Sequence, residues 1–332
     1  MWSSLQYALL LCLAGANALP HIAERDIPAD QLTQFKLLAQ YAGAAYCYTN
    51  VHSTGKKVSC SVDGGSCPAV ESSQTSITAS FIAGGTRTTG YVTVDDTHKL
   101  IVVSIQGTSI STNPIDVLTN LDVERDKTSI CGTANKNDGC SIHGGFNNAA
   151  NDALGPVKAA VATAKAAHPD YKIATTGHSL GGAVAAILGA LLRNSGNNVD
   201  IVRTPFHELE NIQLSTNTPK YTFGQPHIGT VDINNYIQSQ APAKGNNYRV
   251  THFNDIVPQL PPHFLGDWDH FYPEFWINLK SGNVGATNVK VVQGSLYSTA
   301  GNEGATTGRG IIADIIAGIP AHDDYFGEVS TC

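Results

Sequence analysis

Residues 171–192, YKIATTGHSLGGAVAAILGALL, limit the folds open to this chain more than any other stretch. Residues 171–176 are apolar or small at most positions and predict a short buried strand. Residues 182–192, rich in Ala and Leu, predict a buried helix. Between them stands Gly177-His178-Ser179-Leu180-Gly181, a G-x-S-x-G at a strand-to-helix turn. A serine hydroxyl is a weak nucleophile and must stand at a sharp, exposed turn where a base can reach it. Gly177 and Gly181 let the strand and helix pass closely on either side of that turn. The Leu180 N–H then lies at a helix N-terminus, where free N–H groups and the dipole favour a developing oxyanion. In a chain with 32 glycines the pentapeptide alone carries little weight. The strand before it and the helix after it supply the weight.

The chain has 332 residues, 42% hydrophobic and 14% charged, with no internal linker, which suits one large α/β domain. The first 18 residues, MWSSLQYALLLCLAGANA, hold an apolar run at 7–14 and end in Ala16-Asn17-Ala18, an A-x-A cleavage signature. Their n-region has no Lys or Arg. The run is too short to span a bilayer, so the expectation is a signal peptide, no transmembrane segment and a secreted, extracellular protein. Residues 19–25 then read as a short pro-segment with Arg25 as processing point, and 26–332 as the catalytic domain. Twenty Lys+Arg stand against 27 Asp+Glu, a net charge of −7 without a basic block, which argues against nucleic acid and against dependence on anionic membrane surfaces. With Cys12 removed in the signal, six cysteines remain, an even number that suggests disulfides in a secreted protein. Close spacing favours Cys60–Cys67 and Cys131–Cys140, leaving Cys47 and Cys332, although sequence alone leaves other pairings open. No tight Cys/His cluster points to a metal, and no N-x-S/T acceptor is present.

In order, residues 29–46 predict a helix and 76–95 two or three short strands. Residues 100–106, LIVVSIQ, read as a strand buried on both faces. It ends in Gly107-Thr108, where the Thr108 N–H is placed to act as a second oxyanion donor, or where the pair is simply a turn. Next, 109–121 (SISTNPIDVLTNL) predicts a short helix with Asn113 as N-cap, Pro114 in its first turn and Ile115 and Leu118 on one face. Ile110, Pro114, Ile115 and Leu118 are candidate lid residues, and the same pattern suits an ordinary surface helix. A mobile apolar flap there would open at a lipid surface, although the stretch has no Trp or Phe to grip it. An Ala-rich helix is expected over 147–168. His143 precedes the nucleophile and reads as structural, because the expected order is Ser, then Asp, then His. His178 reads as packed beneath the turn.

These motifs together resemble the fungal class 3 lipases, the filamentous-fungus triacylglycerol lipases and type A feruloyl esterases. The matching stretches are 100–108, 142–146, 171–182, 221–229 (YTFGQPHIG), 249–262 (RVTHFNDIVPQLPP), 268–282 and 321–327 (AHDDYFG). The resemblance implies an α/β-hydrolase fold with a mostly parallel central sheet flanked by helices. It implies Ser179 as nucleophile, Asp255 as triad acid and His322 as triad base. It also implies Thr108 and Leu180 as oxyanion donors and the three bridges Cys47–Cys332, Cys60–Cys67 and Cys131–Cys140, with no cofactor and no metal. Asp255 follows the apolar stretch 248–253, at the carboxyl end of a strand where α/β sites gather. Of the later histidines, His263 lies in a Pro-rich loop, His270 in an aromatic stretch where it reads as packed, and His322 in a terminal loop that Cys332 would anchor.

Three departures stand out. His227 occupies a position where the family commonly has Arg. The stretch around Pro114 is longer than a typical lipase lid and has no aromatic tip. Residues 202–220 (VRTPFHELENIQLSTNTPK) split what would otherwise be one strand, VDI joined directly to YTFGQP. The hypothesis for this third departure is a retained intron translated in frame: Val can begin GT, Lys can end AG, and Thr216-Asn217 can encode a CTAAC branch point. The alternative is a surface loop of unusual length. Amplifying the cDNA across this region tests the hypothesis, and a mature message that keeps the whole insert would sink it.

The reading is therefore a serine carboxylic-ester hydrolase, a triacylglycerol lipase acting as a monomer on acylglycerols at a lipid–water interface. A feruloyl esterase is the alternative, and an inactive binding protein on a hydrolase scaffold the remote one. Long-chain emulsions against soluble hydroxycinnamate esters discriminate the first two, and failure of a serine probe to label the protein would revive the third.

Overall fold

Alternation along Leu100–Ile105 sets how the layers stack. Ile101, Val103 and Ile105 are buried in one apolar cluster and Val102 in another, on the opposite face of the strand. The computed structural model describes residues 21–23, 26–108, 123–132, 140–196, 220–294, 299–305 and 311–332. The candidate lid residues Ile110, Pro114, Ile115 and Leu118, the expected signal 1–18, Arg25 and residues 202–219 lie outside the described residues.

The strands, in chain order, are β1 His21–Ala23, β2 Thr75–Ala83, β3 Thr88–Asp95, β4 Leu100–Ile105, β5 Arg125–Lys127, β6 Ser141–His143 and β7 Lys172–His178. After the helix that follows β7 come β8 Lys220–Phe223, β9 Gly229–Thr230, β10 Asn247–His252, β11 Trp268–Asp269, β12 Glu274–Ile277 and β13 Val289–Gln293. The main sheet runs β1-β13-β12-β10-β8-β7-β4-β3-β2. Its centre, β12 to β4, is parallel, and both flanks are antiparallel. A small antiparallel sheet, β11-β9-β6-β5, sits beside it. β1 falls inside the expected pro-segment and pairs as an edge strand with Val291–Gln293.

Helices cover both faces. Ala29–Ala44 packs with Val102, Ala174, Phe223 and Val250 on one side. Gly144–Ala167 and Leu180–Gly196 pack with Ile101, Val103 and Ile105 on the other. Of the expected strands over 76–95, two form. The helix expected over 147–168 begins at Gly144, because the His143 ring accepts the Phe146 N–H at 3.3 Å and caps it. One expectation is corrected: His322 ends the helix Ile311–His322 and does not lie in a loop. That helix presses on the loop after β10 through Gly318, where a Cβ would fall 2.7 Å from the Asn254 carbonyl oxygen and 2.8 Å from the Ile256 nitrogen. Close backbone contact, which sequence periodicity does not reveal, holds the element there.

The bridges Cys47–Cys332, Cys60–Cys67 and Cys131–Cys140 form, with Cα separations of 4.7, 5.7 and 6.5 Å. Among the described residues no helix is long and apolar enough to cross a membrane.

Lys220, the first residue of β8, is fully buried in the middle of the sheet, opposite Thr175 on one side and Asn247 on the other. Its stem lies on Gly189 of the helix Leu180–Gly196, where a Cβ would meet Lys220 Cε at 2.6 Å. Its amine has no hydrogen-bond partner among the described residues. Burial, then the Arg193 charge, pushes its pKa well below the ordinary lysine value.

Candidate active site

Ser179 follows β7 directly and has φ of 59°, a left-handed conformation rare for a residue with a side chain. The crowding that the two glycines relieve is measurable. A Cβ on Gly177 would stand 2.3 Å from the Gly181 carbonyl oxygen, and one on Gly181 would stand 2.4 Å from the Ile105 carbonyl oxygen. The Ser179 N–H donates to the Phe223 carbonyl at 2.9 Å, which ties the turn to β8. The helix starts at Leu180, so the Leu180 N–H belongs to the first turn, whose amides have no acceptor within the helix. Thr108 follows Gly107, and a Cβ on Gly107 would lie 2.5 Å from the His178 carbonyl oxygen. The turn after β4 therefore abuts the serine turn, bringing Thr108 and Leu180 to the same corner.

Asp255, His322 and Ser179 are 0%, 1% and 5% exposed. His322 Nδ1 lies 2.9 and 3.0 Å from the two Asp255 oxygens. Since a carboxylate only accepts, this contact places the imidazole proton on Nδ1 and leaves Nε2 as the acceptor. Nε2 is buried and has no hydrogen-bond partner among the described residues. Asp255 also accepts the Val257 N–H at 2.9 Å and the Tyr325 hydroxyl at 2.6 Å. Burial and the Asp255 charge drive the Tyr325 pKa well up, so the phenol stays a donor. Asn302 Nδ2 donates to the Asp255 carbonyl at 2.9 Å.

Two contacts join the acid–base pair to the serine turn. A Cβ on Gly224, the residue after Phe223, would fall 2.9 Å from the His322 ring and 3.0 Å from Asp255 Oδ2. His178, beside Ser179, reaches the His322 carbonyl with Nε2 at 2.8 Å and the Tyr46 hydroxyl with Nδ1 at 2.9 Å. Burial, then the neighbouring His322, holds the His178 pKa well below the ordinary range, so this ring is neutral. His178 is packed and hydrogen-bonded, and His143 is a helix cap stacked on Phe146, both as expected. His270 is 3% exposed and donates to the Pro258 carbonyl at 2.7 Å, so it is packed as expected.

The Lipase (class 3) family model matches residues 102–265, and the Lipase 3 N-terminal region matches 7–78. A relative named secreted mono- and diacylglycerol lipase 1, from Fusarium solani, is 31% identical, covering 97% of this chain and 87% of its own length. The chain belongs to the class 3 lipases. A relative from Penicillium camembertii named secreted mono- and diacylglycerol lipase A is also 31% identical, over 94% of this chain and 90% of its own. The crystal structure of a mono- and diacylglycerol lipase from Aspergillus oryzae superposes with a TM-score of 0.73 at 29% identity, covering 92% of this chain and all of that one. The fold of this lipase is an α/β-hydrolase.

Sequence reading missed Tyr325, Tyr46, Gly224 and Asn302 as parts of the site. Tyr325 lies within the 321–327 stretch that carries His322, so its motif signal was visible although its partner was not. Tyr46 and Asn302 act across 132 and 47 positions of the chain, where no local pattern can point to them.

Proposed function

We propose that this lipase is an extracellular acylglycerol hydrolase that uses Ser179, His322 and Asp255 through an acyl-enzyme. The observation that carries the reading is the left-handed Ser179 turn set against the buried His322–Asp255 pair. Ser179 Oγ attacks the ester carbonyl, and His322 Nε2 takes its proton and returns it to the leaving glyceride alcohol. Asp255 holds the Nδ1–H tautomer and stabilises the imidazolium. The Leu180 and Thr108 N–H groups receive the oxyanion, and water then releases the fatty acid. The names of the relatives support acylglycerols, with mono- and diacylglycerols foremost. Ile110, Pro114, Ile115 and Leu118 are proposed as the lid that opens at the lipid–water interface, and the relatives' names support secretion.

The test sets emulsified tri-, di- and monoolein against methyl ferulate. Glyceride turnover that jumps when emulsion forms supports the proposal, whereas ferulate turnover without such a jump replaces it with the esterase. Ser179→Ala should lower kcat by about 10⁵-fold or more while the melting temperature stays unchanged. Retained turnover would refute the assignment.

A further inference from the structure

Four side chains far apart in sequence converge beneath the loop that follows Asp255: His227 between β8 and β9, His263 in the turn His263–Leu265, His270 after β11, and Glu303 in the turn Asn302–Ala305. Each imidazole spends one nitrogen on a main-chain carbonyl. His227 Nδ1 faces the Pro261 oxygen at 2.9 Å, His270 Nε2 faces the Pro258 oxygen at 2.7 Å, and His263 Nδ1 faces the Trp268 oxygen. A carbonyl only accepts, so those nitrogens carry the protons, and the far nitrogens of neutral His227 and His270 are lone pairs. His227 Nε2 then points at Glu303 Oε1 at 3.2 Å and His263 Nε2 at Glu303 Oε2 at 2.7 Å. His270 Nδ1 is buried with no partner among the described residues. His227 Nε2 and His270 Nδ1 are thus left as lone pairs, and His227 Nε2 faces a carboxylate with no proton to give it, an arrangement that a cation would complete.

We propose that His227 Nε2, His270 Nδ1 and Glu303 form a divalent-metal site, with zinc the favoured ion by donor chemistry. One ligand atom from each of His227, His270 and Glu303 already lies within 4.8 Å of the others. Tetrahedral zinc needs its ligand atoms about 3.3 Å apart, so the widest pair closes by up to about 1.5 Å. Two imidazole nitrogens and one carboxylate oxygen suit zinc, with the fourth position left to water. Backbone carbonyls that fix the far nitrogen of each ligating ring are the usual support of such a site. His263, bonded to the second Glu303 oxygen, orients the carboxylate.

The ion would be structural, pinning the loop after the triad acid. His227 N–H, His227 Nδ1 and His270 Nε2 hold the carbonyls of Leu260, Pro261 and Pro258, and Asn302, next to Glu303, holds the Asp255 carbonyl.

The test uses the purified full chain, stripped with EDTA and dialysed. Metal analysis, Zn²⁺ calorimetry and the visible spectrum with Co²⁺ are measured, alongside melting temperature. The expected result is one ion per chain, a tetrahedral Co²⁺ band and a higher melting temperature with Zn²⁺. His270→Ala and Glu303→Gln should each weaken binding at least tenfold. His227→Arg, which sets a fixed cation beside Glu303 in place of the ring, should lose the Co²⁺ band and the Zn²⁺-dependent gain in melting temperature. Absence of binding in the parent protein, or equal binding by parent and His227→Arg, overturns the site.

Discussion

Asp255 accepts more hydrogen bonds than holding one imidazole requires. Besides His322 it takes the Val257 N–H and the Tyr325 hydroxyl. The Tyr325 bond draws charge away from the carboxylate and pins Oδ2, the oxygen 2.9 Å from His322 Nδ1. Tyr325→Phe removes one donor from a buried charge, at about 1–2 kcal/mol. If part of this appears in the transition state, kcat/KM falls about tenfold. The fall is read from kcat/KM with a soluble ester, with the melting temperature as control. An unchanged kcat/KM would refute the role given to Tyr325.

Among the elements, β8 carries the one buried residue that fits its place least. Lys220 brings an unpartnered amine into the centre of the sheet, where an aliphatic side chain would lie on Gly189 without cost. A lysine whose folded pKa lies below its unfolded value of 10.5 binds fewer protons folded than unfolded between those two values. Stability then rises with pH across that window. Lys220→Ile should abolish this rise and lift the melting temperature by several degrees, as urea melts at neutral and alkaline pH would report. Removing residues 202–220 would set Ile201 in the same place, which supports the proposal that the insert is foreign to the enzyme. The shortened chain should melt higher and keep its esterase activity, and an inactive or less stable product would argue for the insert. The serine turn was legible in the sequence because its steric demands are local: Gly177 and Gly181 meet backbone within four residues or at the adjoining strand. The helix Ile311–His322 was not, because Pro320 sits inside it and contact with Asn254, not its own pattern, holds it. The cluster of His227 and Glu303 was invisible for a related reason: 76 positions separate them. Such groups become neighbours only when the loop after β8 and the turn Asn302–Ala305 after β13 lie side by side.

At the scale of the molecule, the bridges differ in what they restrain. Cys47–Cys332 closes a span of 285 residues and Cys60–Cys67 one of 7. In the chain-entropy account the first stabilises by about 5 kcal/mol and the second by about half as much. Paired Cys→Ala variants, compared by urea melts, should show that order, and equal losses would place the effect in native packing. The long span has another consequence. Main chain and sulfur bridge together make a covalent ring that contains Ser179, Asp255 and His322. One proteolytic cut between 47 and 332 opens that ring but releases nothing, and the nicked enzyme runs as a single species until a reductant is added. Losing a piece from within that ring takes two cuts instead of one.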